Sequence, residues 1–144
     1  MRVFDHYDFT ICMGGYSFQD SEFFFHTDFF KHLAQRRLVF NHKTDFPICS
    51  FIRSQKYQQR GFFLSGVEAL KLALSIQALK IMTYKELRRQ MMGIDTAFLK
   101  DLTDRFLQPL LAEKAYDLET GLHMIDEYMA SLSEEFIAGE ADED

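Results

Sequence analysis

Arg53, Lys56 and Arg60 stand at i, i+3 and i+7, so on a helix their cationic heads leave from one face. Phe51, Tyr57 and Phe62 are interleaved with them, and Arg36 and Arg37 extend the basic set upstream. Guanidinium and ammonium groups neutralise phosphates and aromatic faces stack bases, which suits a phosphorylated ligand or a single strand. A solvated helix face beside ordinary core aromatics carries the same pattern. Asp5 and Asp8 lie three apart ahead of an apolar run. Paired carboxylates can hold Mg²⁺ between phosphates, and an Asp before a strand is also ordinary turn chemistry. Five histidines (His6, His26, His32, His42, His123) and the cysteines Cys12 and Cys49 form no His-x-His, His-x-x-x-His or Cys-x-x-Cys spacing. Zinc needs about four convergent ligands, so no metal site is assigned. Nothing in the spacing activates a thiol, so no catalytic residue is assigned, and the two cysteines read as reduced, buried side chains.

The elements that must position these residues change character along the chain. Phe9 to Phe18 is β-branched and aromatic and is followed by Gln19-Asp20-Ser21 and Glu22 to His26, which predicts two strands joined by a polar turn. Gly14-Gly15 inside that pattern marks a bulge or a close approach of another group. Asp28 is placed to cap a helix through Phe29, Phe30, Leu33 and Arg37, with Leu38 to Phe40 as a short strand after it. Asn41 to Pro47 reads as a loop, and Ile48 to Arg60 as the basic helix, stopped by Gly61. Ser65 with Glu68, and Thr83 with Glu86, are capping boxes ahead of two further helices. Asp95 starts a fourth through Leu107 that Pro109 interrupts, and Leu122, Ile125, Met129 and Leu132 mark an amphipathic stripe in 118–136.

The order Asp8-Phe9-Thr10-Ile11-Cys12-Met13-Gly14-Gly15-Tyr16, then Lys31 to Leu38, then Arg53-Ser54-Gln55-Lys56-Tyr57 and Gly61-Phe62, resembles the tRNA CCA-adding enzymes and bacterial poly(A) polymerases of the polymerase-β nucleotidyltransferase superfamily. The likeness covers residues 5–65. It implies a head domain in which Asp8 meets a ribose, with Arg53 and Lys56 on the family's basic positions and an all-helical neck after them. The chain departs from the family at His6-Tyr7, where the family has two arginines, at Cys12, where it has Asn, and over Phe46 to Ser50, where its base-selecting Glu-Asp-x-x-Arg would fall. The Gly-Ser and Asp-x-Asp motif is missing. Phosphoryl transfer depends on metal ions and positioning, so the resemblance implies binding without independent catalysis, with no cofactor in this chain alone and Mg²⁺ only if a partner segment supplies carboxylates. A truncated or degenerate relative, or one completed by a complementing nucleotidyltransferase polypeptide or a second copy, fits that expectation.

Length and charge bound these readings. The chain has 144 residues, a net charge of −6 and no tryptophan. Residues 1–63 sum to +2 and residues 64–144 to −8, and 31–60 hold seven basic groups against Asp45 alone. Thirteen of 16 phenylalanines precede residue 64, which separates a strand-rich first half from a helical second half. The expected class is α+β: a small antiparallel sheet with one or two helices, followed by an all-helical bundle. The expected division is a β-rich head over 1–47, a helical bundle over 48–138 and a disordered acidic tail over 139–144. No apolar run approaches the length needed to span a bilayer and no secretory leader is seen, so the expected location is the cytoplasm. The expected function is binding of nucleotide or RNA through Asp8, Arg36, Arg37, Arg53, Lys56 and Arg60. The alternative is a protein-interaction or oligomerisation module without nucleic-acid binding, whose Phe-rich sheet edge and acidic tail meet a partner or a second copy.

Overall fold

Two glycines beside a run of three phenylalanines explain the first element. Strand β1 (Gly14–Ser17) pairs antiparallel with β2 (Glu22–Phe25), with Gly14 opposite Phe25 and Gly15 opposite Phe24. A Cβ on Gly15 would sit 2.5 Å from the Phe24 ring, and one on Gly14 would sit 2.9 Å from the Phe25 ring. The glycines are therefore a close-approach device: large cross-strand rings lie flat over positions that carry no side chain. The computed structural model describes residues 2–91, 117–127 and 130. It divides into two compact units. Among the described residues the first comprises 2–80 with 90–91, and the second 81–89 with 117–127 and 130.

In the first unit, α1 (Phe29–Ala34) follows the hairpin and turns through Arg36 (φ 49°) into β3 (Arg37–Leu38). Asp28 occupies the N-cap position without making the expected side-chain cap; its carboxylate meets Lys31 at 3.7 Å instead. Helix α2 (Pro47–Gln59) carries the basic spacing, starts with Pro in its first turn, and ends at Gly61, whose φ of +84° suits glycine. It crosses over to β4 (Phe63–Leu64), which pairs parallel with β3. Helix α3 (Gly66–Gln77) follows. Ser65 accepts the Glu68 amide as a cap should. The Glu68 carboxylate does not complete the box: it accepts the Phe40 amide at 2.8 Å and pairs with Lys71 at 2.7 Å.

The core of this unit is Phe9, Leu38, Phe40 and Leu72, with Ile11, Tyr57, Phe62, Leu64 and Ile76 packed against it. The stretch 9–18 is not one strand. Phe9 bridges Phe40, Thr10 to Cys12 form a 3₁₀ turn, and β1 begins only at Gly14. Phe9 and its neighbour Thr10 are both buried, a departure from strict two-residue alternation that the turn accommodates.

In the second unit, Thr83 and Glu86 make the full capping box at α4 (Tyr84–Met91): the Glu86 amide donates to Thr83 Oγ1 at 3.2 Å and the Thr83 amide to Glu86 Oε2 at 3.0 Å. Residues 118–127 are helical. Asp117 accepts the Thr120 amide at its start, and the Tyr84 hydroxyl donates to the Asp117 carbonyl at 3.0 Å. Leu122 and Ile125 of the expected stripe are exposed. The helix expected from Asp95, the remainder of 118–136 and the acidic tail over 139–144 lie outside the described residues. The α+β class holds, with a two-stranded antiparallel sheet, an added parallel pair that its two-residue strands made invisible to periodicity, and helices thereafter. Among the described residues no helix is long and apolar enough to cross a membrane.

Candidate functional site

Two features of the first unit hold the chemistry-bearing residues. The first is a knot under the surface. Asp8 is buried at the end of the N-terminal segment, where its Oδ1 accepts the Phe9 amide at 2.9 Å and its backbone carbonyl accepts the Asn41 amide. Its Oδ2 meets Arg53 Nε at 3.2 Å; the Asp8 side chain is 7 % exposed and that of Arg53 39 %. One turn along α2, the Tyr57 hydroxyl accepts from Arg53 Nη2 at 3.1 Å and lies 3.1 Å from Cys12 Sγ. Either group can donate across that contact, and Arg53 Nη2 also donates to Cys12 Sγ at 3.8 Å.

Burial pushes the Asp8 carboxyl above the ordinary carboxylate range, and Arg53 opposes that shift. Burial also raises the Cys12 thiol, opposed by the Tyr57 hydroxyl and reinforced by the charge of Asp8. The Cys49 thiol is raised by burial as well. A raised thiol is a poor nucleophile at neutral pH. Burial works against the charge of Arg53, but the Tyr57 hydroxyl and Asp8 outweigh it and the guanidinium is held more firmly protonated than usual. The knot therefore ties α2 to the segment before β1.

Of the six residues expected to bind a ligand, the structure brings Asp8 and Arg53 together, with each other as partners. Arg36 reaches the end of α2: its Nη1 lies 2.8 Å from where a Cβ on Gly61 would stand. Arg37, Lys56 and Arg60 are exposed and make no ion pair among the described residues. Cys12 and Tyr57 complete the knot unforeseen, although Tyr57 at i+4 from Arg53 was a readable signal. Among the described residues no group of three or more His, Cys, Asp or Glu is arranged to hold a metal ion.

The second feature is a ladder of exposed rings. Tyr16, Phe23 and Phe25 share one face of the hairpin, with centroids 4.9 Å apart for Tyr16 and Phe23 and 6.3 Å for Phe23 and Phe25. Phe18 packs on Tyr16 at 5.0 Å and Phe30 of α1 on Phe25 at 4.6 Å. Phe18 is 90 % exposed, Phe23 72 % and Phe30 61 %. Together these rings form a contiguous exposed apolar face on the first unit.

The family model of "Gabija anti-defense 2 family protein" matches residues 1–36, the stretch that carries the hairpin and α1. Further, the chain is 44 % identical over 92 residues to a protein of Bacillus phage SPbetaL7 described as "Gabija anti-defense 2". That match takes in 64 % of this chain and 23 % of the phage protein, so the chain spans about a quarter of that relative's length. No solved structure matches the chain.

These likenesses overturn the resemblance to CCA-adding enzymes and poly(A) polymerases, and with it the reading of a nucleotidyltransferase-like binder of nucleotide or RNA. That resemblance rested on the order of short motifs, whereas the phage likeness runs over 92 residues. The local structure gives a physical reason for the misreading. Thr10 to Cys12 is a 3₁₀ turn, not part of a strand, and Arg53 is engaged by Asp8 within the fold.

Proposed function

We propose that this chain works in Gabija anti-defense, and that it does so by contact with a protein of that defence through the ring-bearing face of its hairpin. The observation that carries the reading is the 44 % identity over 92 residues to the phage protein of that name. Support for the surface comes from two facts: the family match falls on residues 1–36, and those residues expose Phe18, Phe23 and Phe30 on one side. Large rings cost little conformational entropy to immobilise and supply much of the energy at protein interfaces.

The test is plating of a Gabija-sensitive phage on Bacillus cells that carry the defence. The cells express the phage relative, this chain alone, or the relative with its matching segment replaced by this chain. The expected result is recovery of plaques with the replacement protein, and its loss when Phe18→Ser and Phe23→Ser are introduced. Recovery with the relative but not with the replacement protein overturns the anti-defense reading. Full recovery with the double variant overturns the assigned surface.

A further inference from the structure

The first unit has a cavity of about 350 Å³ between the N-terminal 3₁₀ turn (Arg2–His6), the end of β2, where Phe25 of the ring ladder lines it, and the loop at 41–43. That volume falls in the range of small-molecule sites, roughly 300 to 1,000 Å³. Its apolar wall is built from Phe4, Phe24 and the buried Met13, with the Phe4 and Phe24 rings 5.5 Å apart and tilted by 41°. Gly15 lets the Phe24 ring lie against β1, since a Cβ there would displace it.

The polar wall is donor-rich. The Asp28 amide donates to His26 Nδ1 at 3.2 Å, so the ring hydrogen of His26 sits on Nε2, which has no hydrogen-bond partner among the described residues. The Thr27 hydroxyl has none either. Lys43 brings an ammonium whose one partner, Asp5 at 3.3 Å, forms an exposed and therefore weak pair. Asn41 does not compete for a ligand, because its side-chain amide is spent on the carbonyls of Phe4, Asp5 and Tyr7 and its oxygen on the Lys43 amide. The opposite charges of Lys43 and Asp5 cancel.

We propose that this cavity is a binding site for a small aromatic molecule carrying a single carboxylate, its ring against Phe4 and Phe24 and its anion on Lys43, His26 and Thr27. A neutral lining with spare donors favours one negative charge over two, and the paired rings favour a flat ring over an aliphatic one.

The test is an NMR titration of the isotope-labelled full chain at neutral pH with phenylacetate. Benzyl alcohol, cyclohexylacetate and phenyl phosphate serve as comparisons. Saturable shifts at Thr27 and Lys43 are expected with phenylacetate, with affinity lower by about fivefold or more for each comparison. Lys43→Met should lose a similar factor and Lys43→Arg should restore it. Lys43 is exposed, so neither change threatens the fold. Absence of saturable shifts, or equal binding of benzyl alcohol or of phenyl phosphate, overturns the proposal.

Discussion

Replacing Arg53 by Met tests whether the knot beneath the hairpin is a fastening. The variant keeps most of the aliphatic stem but leaves the Asp8 carboxylate, 7 % exposed, with only the Phe9 amide and the Cys12 thiol beside it and no opposite charge. Removing one member of a fully buried ion pair costs about 3–5 kcal/mol, and removing one from a surface pair about 0–1 kcal/mol. Arg53 is 39 % exposed while Asp8 is buried, which places this pair between the two limits at about 2 kcal/mol. For a unit of this size that corresponds to a fall in Tm of roughly 10 °C.

The sign of the pH dependence follows from Asp8. Burial already raises its carboxyl above the ordinary carboxylate range, and loss of Arg53 removes the charge that opposes the shift. The deficit of the variant should be full at neutral pH and shrink on acidification as the carboxyl takes up a proton. Combining Asp8→Asn with Arg53→Met should recover part of the loss. Urea unfolding of the unaltered chain and the two variants across the acid range measures both effects. A loss below about 0.5 kcal/mol that does not change with pH would refute the reasoning.

Two further outcomes are expected. Glu68→Ala strips the acceptor from the buried Phe40 amide and the partner from Lys71. It should destabilise by about 1–3 kcal/mol in denaturant melts, whereas Glu68→Gln, which keeps an acceptor oxygen, should cost less. His32 is buried with its Nδ1 2.7 Å from the Thr10 hydroxyl, and burial, opposed by Asp28, holds its imidazole below the ordinary histidine value of 6.5. A lowered folded pKa means that the stability is complete above the unfolded value of 6.5 and is lost as pH falls below it toward the folded value. His32→Gln should flatten that part of the stability curve, and an unchanged curve would remove His32 as its source.

Much of the local structure was legible because its causes are local. A polar Gln19-Asp20-Ser21 between aromatic runs makes a hairpin, Gly61 ends α2 where φ must be positive, and the Thr83–Glu86 box caps α4 through contacts three residues apart. The helical spacing of Arg53, Lys56 and Arg60 was equally readable, and so was the α+β class. What no spacing could convey is which long-range partner each side chain takes. Arg53 turns to Asp8 across 45 positions, Glu68 leaves its own capping box for the amide of Phe40, and β3 finds β4 only because α2 carries the chain over. Composition likewise counted the phenylalanines without dividing them. Packing decides that Phe9 and Phe40 are core while Phe18 and Phe23 stand in solvent, because burial depends on the neighbours that the tertiary fold brings to each face.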